Sequence, residues 1–212
     1  MENVFVYLGV EDGECIMKNF FCCVMTIPII GIAEANCPVS PVNTPSTNAE
    51  KLTVSKLGQF LKCDPGDPLN DQTPCNTFAS RGLEAIYGVD DFKLGKNSYQ
   101  SANQMWAFVN SPDSQWQKLG QVFNEQNNLC AQSMANTGWP VIALLKEPDH
   151  GHVALVIPGQ VQSSGSWGML VANSASFSLN DINHVYLSKP LSKAFNANKA
   201  QKAMFFYRIP KK

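Results

Sequence analysis

The sequence predicts an α+β domain in which helices come first and an antiparallel sheet second. Three observations carry that expectation. From residue 73 to about 134, apolar residues recur at three- and four-residue steps, the period of helices with one buried face. After Asn136-Thr137-Gly138 the pattern changes to short apolar runs parted by turns, as in strands. The composition, 212 residues with 44% hydrophobic, 16% charged and a formal net charge of -1, is that of an ordinary folded chain. It excludes an acidic or basic disordered tail and an electrostatic nucleic-acid binder. No fixed-period repeat or heptad run suggests a solenoid or coiled coil.

Residues 20–33 form an almost unbroken apolar run after Lys18, followed by the small-x-small pattern Ala33-Glu34-Ala35. This has the design of a secretory leader and is too short to span a bilayer comfortably. Glu2, Glu11, Asp12 and Glu14 are out of place in a leader, whereas Met17 directly precedes Lys18. The expectation is a signal-peptide region over 1–35 with translation beginning at Met17. A buried N-terminal element is the alternative. Cleavage after Ala35 removes one basic and five acidic residues, leaving 15 and 12, or +3. A secreted or periplasmic protein follows, with no stable membrane insertion after cleavage.

Of seven cysteines, Cys37, Cys63, Cys75 and Cys130 remain beyond the leader. In an oxidising compartment they allow two disulfides, or one disulfide with a reactive thiol and a spare. No C-x-x-C pair is present, and His150, His152 and His184 do not form H-E-x-x-H, so neither a metal nor an organic cofactor is expected.

Residues 36–50 have the Pro, Ser, Thr and Asn content of a linker, and the domain is expected over 51–212. Leu57, Phe60 and Leu61 suit a short helix, and residues 64–68 a turn. In Thr73-Pro74-Cys75-Asn76, Thr73 suits an N-cap and Pro74 the first helical position. Phe78, Ala79, Gly82, Leu83 and Ile86 then mark the buried face, and Gly88 the stop. Two more helices are expected, one on Ala102, Met105, Trp106 and Val109, another on Trp116, Leu119, Val122 and Phe123 continuing to Met134. Residues 141–145 and 152–157 read as a hairpin around the turn Glu147-Pro148-Asp149-His150-Gly151. Further strands are expected at 169–173 and 203–209, with a helix or irregular crossover over 189–202.

Cys75 falls in the first turn of its helix, where unpaired N–H groups and the positive end of the macrodipole favour thiolate. The same position suits a small buried residue or half of a disulfide with Cys63. Cys130, inside a helix, is the poorer nucleophile and reads as a packing or disulfide residue.

Cys75 at a helix head, followed by Gly151-His152-Val153-Ala154-Leu155-Val156 on a hairpin strand, resembles the papain-like cell-wall hydrolases of the NlpC and CHAP types. The resemblance covers roughly residues 71–210. It departs from those families at Asn76-Thr77, where Ser-Gly is usual, and in a longer stretch between the second and third strands. It implies a helix packed on an antiparallel sheet, Cys75 as nucleophile, His152 as base, and a polar residue on the next strand, here Asn173, orienting the imidazole.

The implied chemistry is amide hydrolysis. A thiolate made by the imidazole attacks the carbonyl, and the imidazolium protonates the leaving amine. Asn70 or Gln72 could add an oxyanion donor to the Cys75 N–H, although solvated turn residues look the same. His150 could replace His152 as base if the register moves by two, since i and i+2 share a face. The expected activity is cysteine amidase or endopeptidase action on peptidoglycan stem peptides. The expected partners are peptidoglycan or a peptide, not nucleic acid, with room for a protein inhibitor. The alternatives are a deamidase or protease effector acting on a protein, and a catalytically inactive papain-like binding module.

Overall fold

The computed structural model describes residues 37–42, 44–45, 48–60, 74–96, 98–177 and 185–210, and for Pro74 and Cys75 the backbone alone. The proposed leader and Met17 therefore lie outside the described residues, as do Cys63, Asn70, Gln72, Thr73 and His184.

The architecture is α+β. In chain order the elements are α1 (Ala49–Leu57), α2 (Pro74–Tyr87), β1 (Lys93–Gly95), β2 (Ser98–Tyr99), α3 (Ala102–Val109), β3 (Trp116–Gln121), α4 (Glu125–Asn136), β4 (Val141–Leu145), β5 (His152–Val156), β6 (Gln162–Ser164), β7 (Met169–Val171), β8 (Asn173–Phe177), β9 (Val185–Pro190), α5 (Ala197–Ala200) and β10 (Met204–Arg208). Six strands form one antiparallel sheet in the order β3-β10-β4-β5-β8-β9; β1-β2 and β6-β7 are separate small hairpins.

Each face of the sheet carries its own core, as the two-residue strand period requires. On β5, Val153 and Leu155 join Leu57 of α1, Phe78, Ala79 and Leu83 of α2, and Met105 and Val109 of α3. Ala154 and Val156 face the other way, toward Cys130, Ala131 and Met134 of α4, Phe195, and Ala200 of α5. The expected leading helices thus cover one face, and α4 covers the opposite one.

α4 carries a polar stripe at four-residue spacing. Asn128 accepts from the Ala172 N–H at 3.0 Å, Gln132 accepts from the Asn173 N–H at 2.6 Å and donates to the Ile157 carbonyl at 3.0 Å, and Asn136 accepts from the Gly159 N–H at 2.9 Å. These amides satisfy backbone groups where the chain passes between β5 and β8, which have no ladder partners there.

Residues 37–42, linker-like in composition, run along α4. Cys37 is disulfide-bonded to Cys130, Val39 packs on the core, and the Val42 N–H and carbonyl bond Ser133 and Asn136.

Two expected elements differ. Residues 116–121 are an edge strand, not the start of a helix. Trp116 and Leu119 are both buried, but in different cores, because an odd step along a strand changes face and both faces are covered here. Their three-residue spacing therefore imitates a helical stripe. Residues 169–171 pair with β6; the strand that pairs with β5 starts only at Asn173. The crossover holds the end of β9, a 3₁₀ turn at Leu191–Lys193, and α5.

Candidate functional site

Cys75 is the second residue of α2, and its side chain lies outside the described residues. The helix axis is fixed by contacts farther along. A Cβ on Gly82 would stand 2.7 Å from both Leu155 Cδ1 and Leu57 Cδ2, so glycine lets α2 lie close on β5. One turn earlier, Phe78 meets Phe177 edge to face at 5.3 Å. Since Leu155 pairs with Ala175, Phe177 lies toward the His152 end of β5. The first turn of α2 thus points toward the end of the sheet where the β4–β5 turn closes. Asn76, 1% exposed, donates to the Gln100 carbonyl at 2.9 Å. Its Oδ1 and the Gln100 Oε1 are buried without partners among the described residues. Unsatisfied groups of this kind are uncommon in folded proteins and call for a specific reason.

His152 opens β5 opposite Leu145. Its ring shares the face of Ala154 and Val156, lies edge to face with Phe195 at 5.1 Å, and is 1% exposed. That face is the one away from α2. Nε2 lies 3.1 Å from Ser176 Oγ, and Nδ1 has no partner among the described residues. Burial, with the nearby Lys199 charge adding to it, lowers the imidazole pKa to about 3, so the ring is neutral at neutral pH. Such a ring can accept a proton, but the site as it stands disfavours the imidazolium that a thiolate pair requires.

Asn173 does not reach His152. Its carbonyl accepts from the Ile157 N–H at 3.1 Å, five residues beyond His152, or about 17 Å along the strand. Its side chain, also 1% exposed, donates to the Pro158 carbonyl at 3.1 Å and to Glu50 at 3.4 Å, and accepts from Gln162 at 2.8 Å. The expected orienting role is therefore corrected: Asn173 serves the far end of β5, and the polar side chain on the imidazole is Ser176. Period-two alternation with Ser174 could have suggested Ser176 once β8 was recognised as a strand.

The turn before His152 is held from two sides. Asn103 of α3 donates to the Glu147 carbonyl at 2.8 Å and accepts from the Glu147 N–H at 3.3 Å. Lys199 of α5 pairs with the Glu147 carboxylate at 3.0 Å. Gly151 is sterically required, because a Cβ there would lie 2.5 Å from the Leu145 carbonyl oxygen and 2.6 Å from Asn103 Oδ1. His150, in the turn, is exposed. Asn103 carries no sequence signal of this role, since its partner is a backbone group 44 residues away.

Among the described residues, no three His, Cys, Asp or Glu side chains are grouped to hold a metal, and no helix is long and apolar enough to cross a membrane. No protein-family model matches the chain, and no curated protein matches it.

Proposed function

We propose that the chain is an exported, papain-like cysteine amidase or endopeptidase that cuts amide bonds of peptidoglycan stem peptides through an acyl-enzyme on Cys75. The observation that carries this reading is the direction of α2, whose first turn points to the end of the sheet occupied by His150, Gly151 and His152. A thiolate at a helix start is stabilised by the free N–H groups there. It adds to the amide carbonyl, the protonated base gives its proton to the leaving amine, and water then hydrolyses the thioester. The Cys75 N–H suits the oxyanion, a contact worth about 2.7 to 4 kcal/mol where such donors have been removed.

The base comes from the β4–β5 turn in this reading. His150 is already open to solvent, whereas His152, on the face away from α2, serves only after the start of β5 rearranges. Export is supported by the Cys37–Cys130 disulfide, which suits an oxidising compartment and uses the cysteine just beyond Ala35. A second reading, an inactive papain-like binding module, is favoured by one observation: His152 is buried against Phe195 on the face away from α2.

The pH dependence of Cys75 alkylation, followed by peptide mass spectrometry, separates the two. An active dyad gives a midpoint well below the ordinary thiol value of about 8.5, moved upward by substitution of the histidine that serves as base. An ordinary midpoint, indifferent to His150→Ala and His152→Ala, supports the binding module.

A further inference from the structure

At the opposite end of β5 from His152, a cleft of about 500 Å3 opens between the start of α1, β6 and β9, lined by Thr44, Pro45, Glu50, Gln160, Gln162 and Ser188, with Val161 completing the wall. Glu50 is the only charged side chain among the described residues of that lining. One of its oxygens, Oε1, accepts from the Ser188 hydroxyl and from Asn173 Nδ2 at 3.4 Å. Among the described residues nothing bonds its other oxygen.

Two features indicate that this carboxylate is held in place. Ser188 has φ +53°, the only non-glycine residue among those described with positive φ. That conformation is unfavourable for a residue with a side chain, and glycine would adopt it freely. Keeping a serine there retains the hydroxyl on Glu50, and strain of this kind concentrates at binding sites. Asn173, fully buried, is itself fixed by Gln162 Nε2 at 2.8 Å and by the Pro158 carbonyl. Gly159 makes room for it, since a Cβ there would lie 2.1 Å from Asn173 Nδ2.

A preset carboxylate with an oxygen that no described residue bonds, and without a lysine or arginine among the described lining residues, selects a positively charged donor. A metal ion would need more ligands than one carboxylate, and no group of three candidate ligands stands among the described residues. Pro45 and Val161 offer apolar surface to a short aliphatic stem. We propose that this cleft binds a primary ammonium group on an alkyl chain, as on a lysine-type side chain, with Glu50 as its counter-ion and Ser188 as the residue that orients Glu50. The site lies about 17 Å along β5 from His152 and does not rest on the hydrolase reading.

The test is calorimetric titration of the full chain with Nα-acetyl-lysine amide, beside the same compound acetylated on its side-chain amine. Saturable binding of the free amine is expected, with no binding of the acetylated compound. Glu50→Gln should weaken binding about tenfold or more. Ser188→Gly, which relieves the backbone and so keeps the fold, should weaken it severalfold. Absence of saturable binding to folded wild type overturns the proposal. So does equal binding of the acetylated compound, or undiminished binding by a folded Glu50→Gln variant. If Glu50→Gln does not fold, the Ser188→Gly result decides, and unchanged affinity there overturns the orienting role.

Discussion

His152 Nε2 and Ser176 Oγ meet at 3.1 Å within the sheet face that carries α4 and Phe195. Ser176 also reaches the Val153 and Phe177 carbonyls, at 3.1 and 2.8 Å, so its hydroxyl does not depend on the imidazole. The ring does depend on its surroundings, because burial lowers its pKa from 6.5 to about 3.

A pH dependence of stability follows. Between about pH 6 and pH 3 the unfolded chain binds a proton at His152 that the folded chain does not. The stabilisation is therefore complete above the unfolded value and is lost as pH falls, at up to about 1.4 kcal/mol per pH unit. Urea titrations from pH 4 to 7 should show this slope in wild type, and a reduced slope in His152→Phe, which keeps an aromatic ring beside Phe195. Equal slopes would mean that His152 titrates normally in the folded chain.

The disulfide closes a loop between residues 93 apart in sequence and anchors the 37–42 segment along α4. Reduction, or Cys130→Ser, should lower unfolding free energy by about 2 to 5 kcal/mol. Proteolysis near residues 37–42 should then precede cleavage of the sheet. A denaturation midpoint insensitive to reductant would show that the bond adds no stability.

Gln132, 2% exposed, joins α4 to the Asn173 N–H and the Ile157 carbonyl. Gln132→Leu keeps the volume but strands both backbone groups, a loss of about 2 to 4 kcal/mol. Chemical denaturation measures it, and a change below about 0.5 kcal/mol would mean that water replaces the amide.

Gly151→Ala drives a methyl into the Leu145 carbonyl and Asn103 Oδ1. The expected cost is about 1 to 3 kcal/mol, with displacement of the turn that carries His150. Hydrogen exchange should quicken at Glu147, whose N–H is held by Asn103. Unchanged exchange in a folded variant would show that the turn tolerates a side chain.

The legible part of the fold was α2, with its apolar stripe, and the central hairpin, whose strands are buried on both faces and so read as continuous apolar runs. Phe78, Ala79 and Leu83 announce α2, and the runs at 141–145 and 152–156 announce the central hairpin. β3 was hidden because Trp116 and Leu119 enter opposite cores. β8 was hidden because Asn173, Ser174 and Ser176 are polar but buried, their partners supplied by elements far away in sequence. The site was legible as positions more than as geometry. Cys75 falls at the head of α2 and His152 at the start of β5, but the face on which the imidazole lies depends on the strand register with β4 and on Phe195. Glu50, in a stretch of linker composition, gains its neighbours only when residues 123 and 138 positions away fold onto it.

Digestion of purified peptidoglycan under reducing conditions tests the proposed activity most directly, with wild type compared with Cys75→Ala, His150→Ala and His152→Ala and soluble fragments identified by mass spectrometry. Hydrolysis through Cys75 predicts new stem-peptide fragments from wild type, none from Cys75→Ala, and loss in whichever histidine variant removes the base. A folded wild-type protein with an accessible Cys75 that releases nothing, or a Cys75→Ala variant that releases the same fragments, would contradict it.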